Sequence, residues 1–166
     1  MKMIKPIVKD SKVVFGPCRL SYTHLFQKYA PDGDPGSGKY MTNVLIPKDE
    51  KETVDAITKA IEAARKAAIV GKWGGKTPKK LDSALRDGDE KDDDTYEDHW
   101  YVNAKCSTRP GVVDKSRAPI LDEEEVYSGI WAVVSVTFYG YSVSGNNGIA
   151  CGLNNVMKTA DGDHLG

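Results

Sequence analysis

Cysteine is scarce in this chain of 166 residues: Cys18, Cys106 and Cys151 are three in number and far apart. A disulfide framework needs pairs and a zinc site needs grouped ligands such as C-x-x-C, so neither is expected. Each lies in an apolar, strand-like stretch, which predicts small buried thiols. The three histidines are scattered, and no G-x-S-x-G, H-E-x-x-H or Cys/His pairing appears. Apolar runs such as Ile130–Val134 fall far short of the roughly 20 residues of a membrane span, and Met1–Pro6 holds no apolar signal core. These absences predict a cytoplasmic protein with no catalytic activity, no cofactor, no metal and no membrane partner.

What is present is the composition of an ordinary globular domain: 40% hydrophobic and 28% charged residues, enough for one core at this length. A single domain over residues 1–166 is therefore expected. The 23 Lys and Arg nearly balance the 24 Asp and Glu, but unevenly. Residues 87–98 (DGDEKDDDTYED) hold eight acids and one Lys, and Asp122–Glu125 adds four acids. Without those two blocks, 22 basic residues face 12 acidic ones, an excess of ten positive charges. A basic remainder with local acidic blocks can attract a polyanion while the whole stays near neutral.

Periodicity assigns the elements. Lys12–Tyr29 reads as one or two strands, with Val14, Cys18, Leu20, Tyr22 and Phe26 on one parity and an interruption at Gly16-Pro17. Pro31–Gly38 is a turn, and Lys39–Ile46 a second strand ended by Pro47. Residues 50–70 form the helix, with Val54, Ile57, Ile61, Ala64 and Ala68 as its apolar stripe, an Asp49/Glu52 capping box and Gly71 as stop signal. Residues 71–98 show no periodicity, being first basic and then acidic, and a loop of that length is usually functional or mobile.

The last third is β. Trp100, Val102, Ala104 and Cys106 alternate with Tyr101, Asn103, Lys105 and Ser107. Ile130, Ala132, Val134, Val136 and Phe138 alternate with Trp131, Val133, Ser135, Thr137, Tyr139 and Tyr141. Asn146-Asn147-Gly148 signals a hairpin, after which a final strand carries Ile149, Cys151, Leu153 and Met157. Five or so strands and one helix predict a mainly β, α+β protein built on a small barrel.

Two stretches approach a phosphate-binding loop and miss. Gly33–Tyr40 has the G-x-x-x-x-G-K spacing but puts Tyr where Ser or Thr must stand, and it opens a strand where a helix is required. Gly71–Thr77 ends in Gly-Lys-Thr with its first Gly one residue too close. An EF-hand loop begun at Asp87 has Lys91 at position 5 and no Gly at position 6.

Basic and aromatic residues, by contrast, interleave on strands and loops. Tyr101 and Lys105 share a strand face that runs on to Arg109, with Lys115 and Arg117 following. Tyr139 and Tyr141 share the polar face of the long strand, and Lys72, Trp73, Lys76, Lys79 and Lys80 make a basic loop with a ring inside it. Single-stranded nucleic acid calls for this combination, cations tracking phosphates while rings stack on bases at about 1–3 kcal/mol each. The lysines and arginines are the expected phosphate contacts, and Tyr101, Tyr139, Tyr141 and Trp73 the expected stacking rings. Trp100 and Phe138 are assigned to the core.

The chain resembles the single-stranded-DNA-binding proteins of bacteriophages and prophages. The resemblance is carried by Arg19–Tyr22 through Leu25-Phe26, Thr108–Asp114, Glu125–Gly129, Phe138–Tyr141 and Gly148–Asn155. It implies an OB-like five-stranded barrel, similar to the single-strand-binding proteins of T7-like phages, that coats exposed strands during DNA replication and recombination. Here the helix follows the second strand, so a variant barrel is expected. The resemblance also implies an acidic C-terminal tail that recruits polymerase or helicase and competes with DNA. The sequence stops at Asp161–Gly166, where more is expected, unless the 87–98 loop does part of that work, in which case its deletion should tighten DNA binding. Edge strands offer a route to a homodimer. The rival readings are a virion or assembly module and a nuclease using the 87–98 carboxylates.

Overall fold

The computed structural model describes residues 2–30, 33 and 38–165. Of the expected Pro31–Gly38 turn only Gly33 and Gly38 lie within these residues, and of the phosphate-loop spacing through it Lys39 and Tyr40 as well, at the start of a strand. The elements are β1 (Ile7–Lys9), β2 (Lys12–Tyr29), β3 (Lys39–Pro47), α1 (Lys51–Gly71), β4 (Arg86–Asp87), β5 (His99–Cys106), β6 (Gly111–Val113), β7 (Trp131–Val143) and β8 (Asn146–Ala160). Five of the strands close a barrel in the order β2-β3-β5-β8-β7 and back to β2. Every seam is antiparallel except β5–β8, where Ala104 and Lys105 pair in parallel with Cys151 and Gly152. This is the expected OB-type barrel, with α1 inserted between its second and third strands as the variant requires.

Alternation fills the barrel, but not with the simple parity read from sequence. In β2 the buried residues are Val13 and Phe15, then Cys18 and Leu20, then Leu25. Val14 faces outward and Tyr22 is half exposed. The reason is two bulges, one between Phe15 and Cys18 against β7, the other between Ser21 and His24 against β3. Each inserts one residue and moves every following side chain to the opposite face. Gly16 makes the first possible: at φ 131° it sits where a Cβ would lie 2.6 Å from the Ala132 carbonyl oxygen. A further bulge lies on β8, where Asn154 is the extra residue opposite Ser135 and Val136 of β7. Val156 is therefore buried, and Met157, which shares the parity of Ile149, Cys151 and Leu153, is only partly so.

Two local signals also resolve differently. The β7–β8 hairpin turns at Ser144-Gly145, both at positive φ, while Asn146, Asn147 and Gly148 already pair with Val143, Ser142 and Tyr141. Positive φ at both central residues is the twist-matched two-residue turn. No Asp49/Glu52 capping box forms: the helix N-cap is Glu50, without a side-chain hydrogen bond. The buried helix face is Thr53, Ala56, Ile57, Ala60, Ala64 and Ala68, so its axis is set by alanines, with Val54 and Ile61 at the margin. Small side chains let the helix lie close on β7, where a Cβ at Gly140 would meet that of Ala68.

The long charged stretch is ordered into the barrel wall. Toward their starts β5 and β8 diverge, and residues 82–87 fill the gap. Asp82 bridges Gly148 of β8, and Arg86-Asp87 pair with Tyr101-Trp100 of β5. Short 3-10 turns at Gly88–Glu90 and Asp94–Tyr96 follow, each begun by an aspartate, Asp87 or Asp93, that accepts from a backbone N–H two residues on. Tyr96 is fully buried. Part of the stretch expected to be a functional or mobile loop is thus a seal across the β5–β8 gap. Cys18 and Cys151 are buried thiols, their pKa pushed far up by burial, and Cys106 is half-buried.

Candidate functional site

Three clefts join into one groove along the outside of the β5–β8–β7 wall and the 82–91 segment. The central cleft, about 230 Å³, is lined by Arg86, Asn103, Lys105, Tyr139, Tyr141 and Asp82 among others. Lys105 and Tyr139 also border a second cleft of about 400 Å³ with Lys39, Ser107, Thr137 and Asn154. Asp82 and Arg86 also border a third, about 740 Å³, with Lys91, Trp100 and Tyr101. Alternation explains the lining: Tyr101, Asn103 and Lys105 are the outward residues of β5, and Thr137, Tyr139 and Tyr141 those of β7. The wall residues between them on β8, Ala150 and Gly152, are small, so the groove has a low floor.

Tyr139 is 50% exposed, an unusual allowance for an aromatic on a central strand, and it stands at the junction of two clefts beside Lys105. Tyr141 is more constrained, its hydroxyl donating to Asp82 Oδ2 at 2.9 Å. Burial and the Asp82 carboxylate both raise its pKa, so it stays neutral. Tyr101 lies edge-on to Tyr96 with centroids 5.1 Å apart. Lys39 Nζ donates to Ser107 Oγ at 2.6 Å, holding a cation at the far end of the second cleft.

The other residues singled out in the sequence fall in different places. Arg109 is exposed and stacks its guanidinium over Phe26 at 4.6 Å, just past the end of β5. Trp73 is half-buried and donates its indole N–H to the Tyr141 carbonyl, so it is a packing residue at the helix end. Lys72, Lys76, Lys79 and Lys80 are exposed on the stretch leading to Asp82; none lines the groove. Lys115 and Arg117 sit on a turn organised by the Asp114 carboxylate, and Lys115 borders a separate cleft among Asp114, Asp122, Glu125 and Asp161. The structure does not bring these two to the groove.

Sequence reasoning missed Arg86, Lys39 and Lys91. Arg86 and Lys91 adjoin or interrupt the acidic run and were masked by it; the single Lys91 within the run was their one signal. Two of those eight acids are matched by a lysine of the β3–α1 connection. Lys48 Nζ contacts Asp87 Oδ1 and Asp89 Oδ2, both at 2.7 Å. Those hydrogen bonds hold both carboxyls below their usual range and raise the lysine. Lys91 Nζ lies over the rings of Tyr22, Tyr96 and Tyr101.

Residues 11–166 match the family model described as Enterobacter phage Enc34, ssDNA-binding protein. The chain is 33% identical over 162 residues to a putative protein p50 of Acyrthosiphon pisum secondary endosymbiont phage 1, covering 92% of this chain and 85% of that one. Among solved structures it superposes on the bacteriophage Enc34 single-stranded DNA-binding protein in complex with ssDNA, with a TM-score of 0.83 and 27% identity over 100% of this chain and 97% of that one. The bacteriophage T7 single-stranded DNA-binding protein gp2.5 matches with a TM-score of 0.63 at 18% identity over 93% and 90% of the two chains, a likeness of fold.

Proposed function

The chain belongs to the Enc34 ssDNA-binding protein family of phages, and from that membership we propose that it binds single-stranded DNA without sequence preference, protecting exposed strands during phage DNA replication and recombination. The observation that carries the reading to particular residues is the half-exposed Tyr139 standing beside Lys105 where two clefts of the groove meet. A flat ring that packing leaves open can stack on any base, and a cation beside it can hold the adjoining phosphate, which is sequence-tolerant recognition.

In this reading Lys39, Arg86 and Lys105 track phosphates along the groove, and Tyr139, Tyr141 and Tyr101 offer rings. Lys79 and Lys80 extend the cationic path beyond Asp82, and Arg109 extends it beyond Ser107. The whole chain acts as one nucleic-acid-binding domain inside the bacterial host, without catalysis. Polymerase or helicase partners and a homodimer belong to the same reading.

Fluorescence anisotropy with labelled oligo-dT tests it, using an oligonucleotide longer than the roughly 4–16 nucleotides of one OB site and duplex as competitor. The expected result is salt-sensitive binding that prefers the single strand and leaves it intact in magnesium. Absence of binding at low salt by folded protein would refute it.

A further inference from the structure

Tyr22 occupies a place that core packing does not explain. The extra residue that β2 carries between Ser21 and His24 turns it outward, at φ 49°, with the residue 52% exposed. The left-handed region is unfavourable for a bulky side chain, and a bulge that served only the strand would take Gly or Asn there.

Its neighbours are rigid. Tyr96, fully buried, accepts at its hydroxyl from Asn43 Nδ2 at 2.8 Å, and Asn43 Oδ1 accepts from Asn103 Nδ2 at 2.7 Å. Tyr101 is braced edge-on against Tyr96. Into this cluster the acidic segment sends one cation: Lys91 Nζ lies 5.3 Å from the Tyr22 centroid, 4.7 Å from Tyr96 and 5.4 Å from Tyr101. Lys91 and Tyr101 also line the third cleft, so the cluster stands where the groove ends.

We infer that Tyr22, Tyr101 and Lys91 form a nucleotide subsite at the end of the groove, in which an unpaired base stacks on Tyr22 while Lys91 Nζ moves from the ring faces to that nucleotide's phosphate. The inference rests on the single-strand reading and adds a binding position beyond the β5–β8–β7 wall. The exchange is favourable in direction. A lysine over a ring at an exposed site contributes less than a stacked base, and the displaced ammonium gains a phosphate. The base must offer an open face, which a duplex keeps inside its own stack. The subsite therefore discriminates single strand from duplex as well as adding affinity.

The test is anisotropy with fluorescein-labelled oligo-dT and with duplex, on variants whose melting temperature matches the parent. Tyr22→Gly, which keeps the left-handed backbone without strain, should weaken oligo-dT binding about 5- to 150-fold, the range of one lost stack. Tyr22→Phe should retain binding. Tyr22→Gly should leave duplex binding unchanged, so that the preference narrows. Lys91→Gln should lower the slope of log affinity against log salt by about 0.7, the loss of one phosphate contact. A Lys91 that merely clips the acidic segment would leave the slope alone. If the parent binds oligo-dT and Tyr22→Gly binds as tightly, the subsite is overturned while the single-strand reading stands; a parent that does not bind overturns both.

Discussion

The indole N–H of Trp73 donates to the backbone carbonyl of Tyr141 at 3.1 Å, tying the end of the helix to the strand that carries the groove's tyrosines. Trp73 is the aromatic inside the basic loop, and by composition alone it is a stacking candidate; by position it is a strut. Trp73→Phe should cost about 0.5–1.5 kcal/mol, the net worth of one hydrogen bond. It should lower the melting temperature by a few degrees and leave oligo-dT affinity unchanged well below the transition. A large affinity loss at unchanged stability would return Trp73 to the binding surface.

Tyr139 and Lys105 adjoin in the groove but should fail in different ways. Tyr139→Ala removes a ring and no charge, so affinity for oligo-dT should fall by about 1–3 kcal/mol with the salt slope intact. Lys105→Gln removes a charge and no ring, so the slope should become shallower by about 0.7. Anisotropy titrations across a salt series separate the two. Matching slopes in both variants would mean that Lys105 touches no phosphate.

How far the sequence showed this site follows from what interrupts alternation. Period-2 patterning was enough for β5 and β7, where Val102 and Ala104, and Ile130 through Phe138, face inward as expected. It failed wherever a bulge intervened, because one inserted residue reverses parity and leaves no mark in hydropathy. So Val13 and Phe15 replaced Val14 inside, Tyr22 came out, and Val156 is buried while Met157 is only partly so. The charged stretch was opaque for another reason. Its order comes from pairing with distant strands, Asp82 with Gly148 and Arg86 with Tyr101, and such contacts have no local signature. Arg86 and Lys91 were therefore hidden among acids, of which the fold assigns Asp87 and Asp89 to Lys48.

The Lys48 cluster has a definite pH signature. Its hydrogen bonds lower the Asp87 and Asp89 carboxyls below their ordinary 3.8 and raise Lys48 above its ordinary 10.5. A lowered carboxyl contributes stability above its unfolded value and loses it as pH falls through the folded one. A raised amine contributes below its unfolded value and loses it as pH climbs through the folded one. The contribution is thus flat between about pH 5 and 10 and disappears at either end. Melting curves of the parent and Lys48→Met should differ by a constant amount through that window and converge below the carboxylate range. A difference that persists at pH 2 would mean the lysine acts through its ammonium over the Trp100 ring, 4.6 Å from the centroid.

Deleting residues 87–98 would not isolate the influence of their charge on DNA, because it would also remove buried Tyr96, the Lys48 partners and Lys91. Asp92 and Asp94 are exposed and allow a cleaner change. A carboxylate about 10 Å from a phosphate in a water-like medium repels it by about 0.4 kcal/mol, roughly a twofold effect on affinity. Asp92→Asn with Asp94→Asn should therefore tighten oligo-dT binding about two- to fourfold at low salt. The gain should shrink toward nothing near 1 M salt, where screening acts within about 3 Å. Loosened binding would show instead that these aspartates hold Lys91 and its segment in place, and that their positions matter more than their charge.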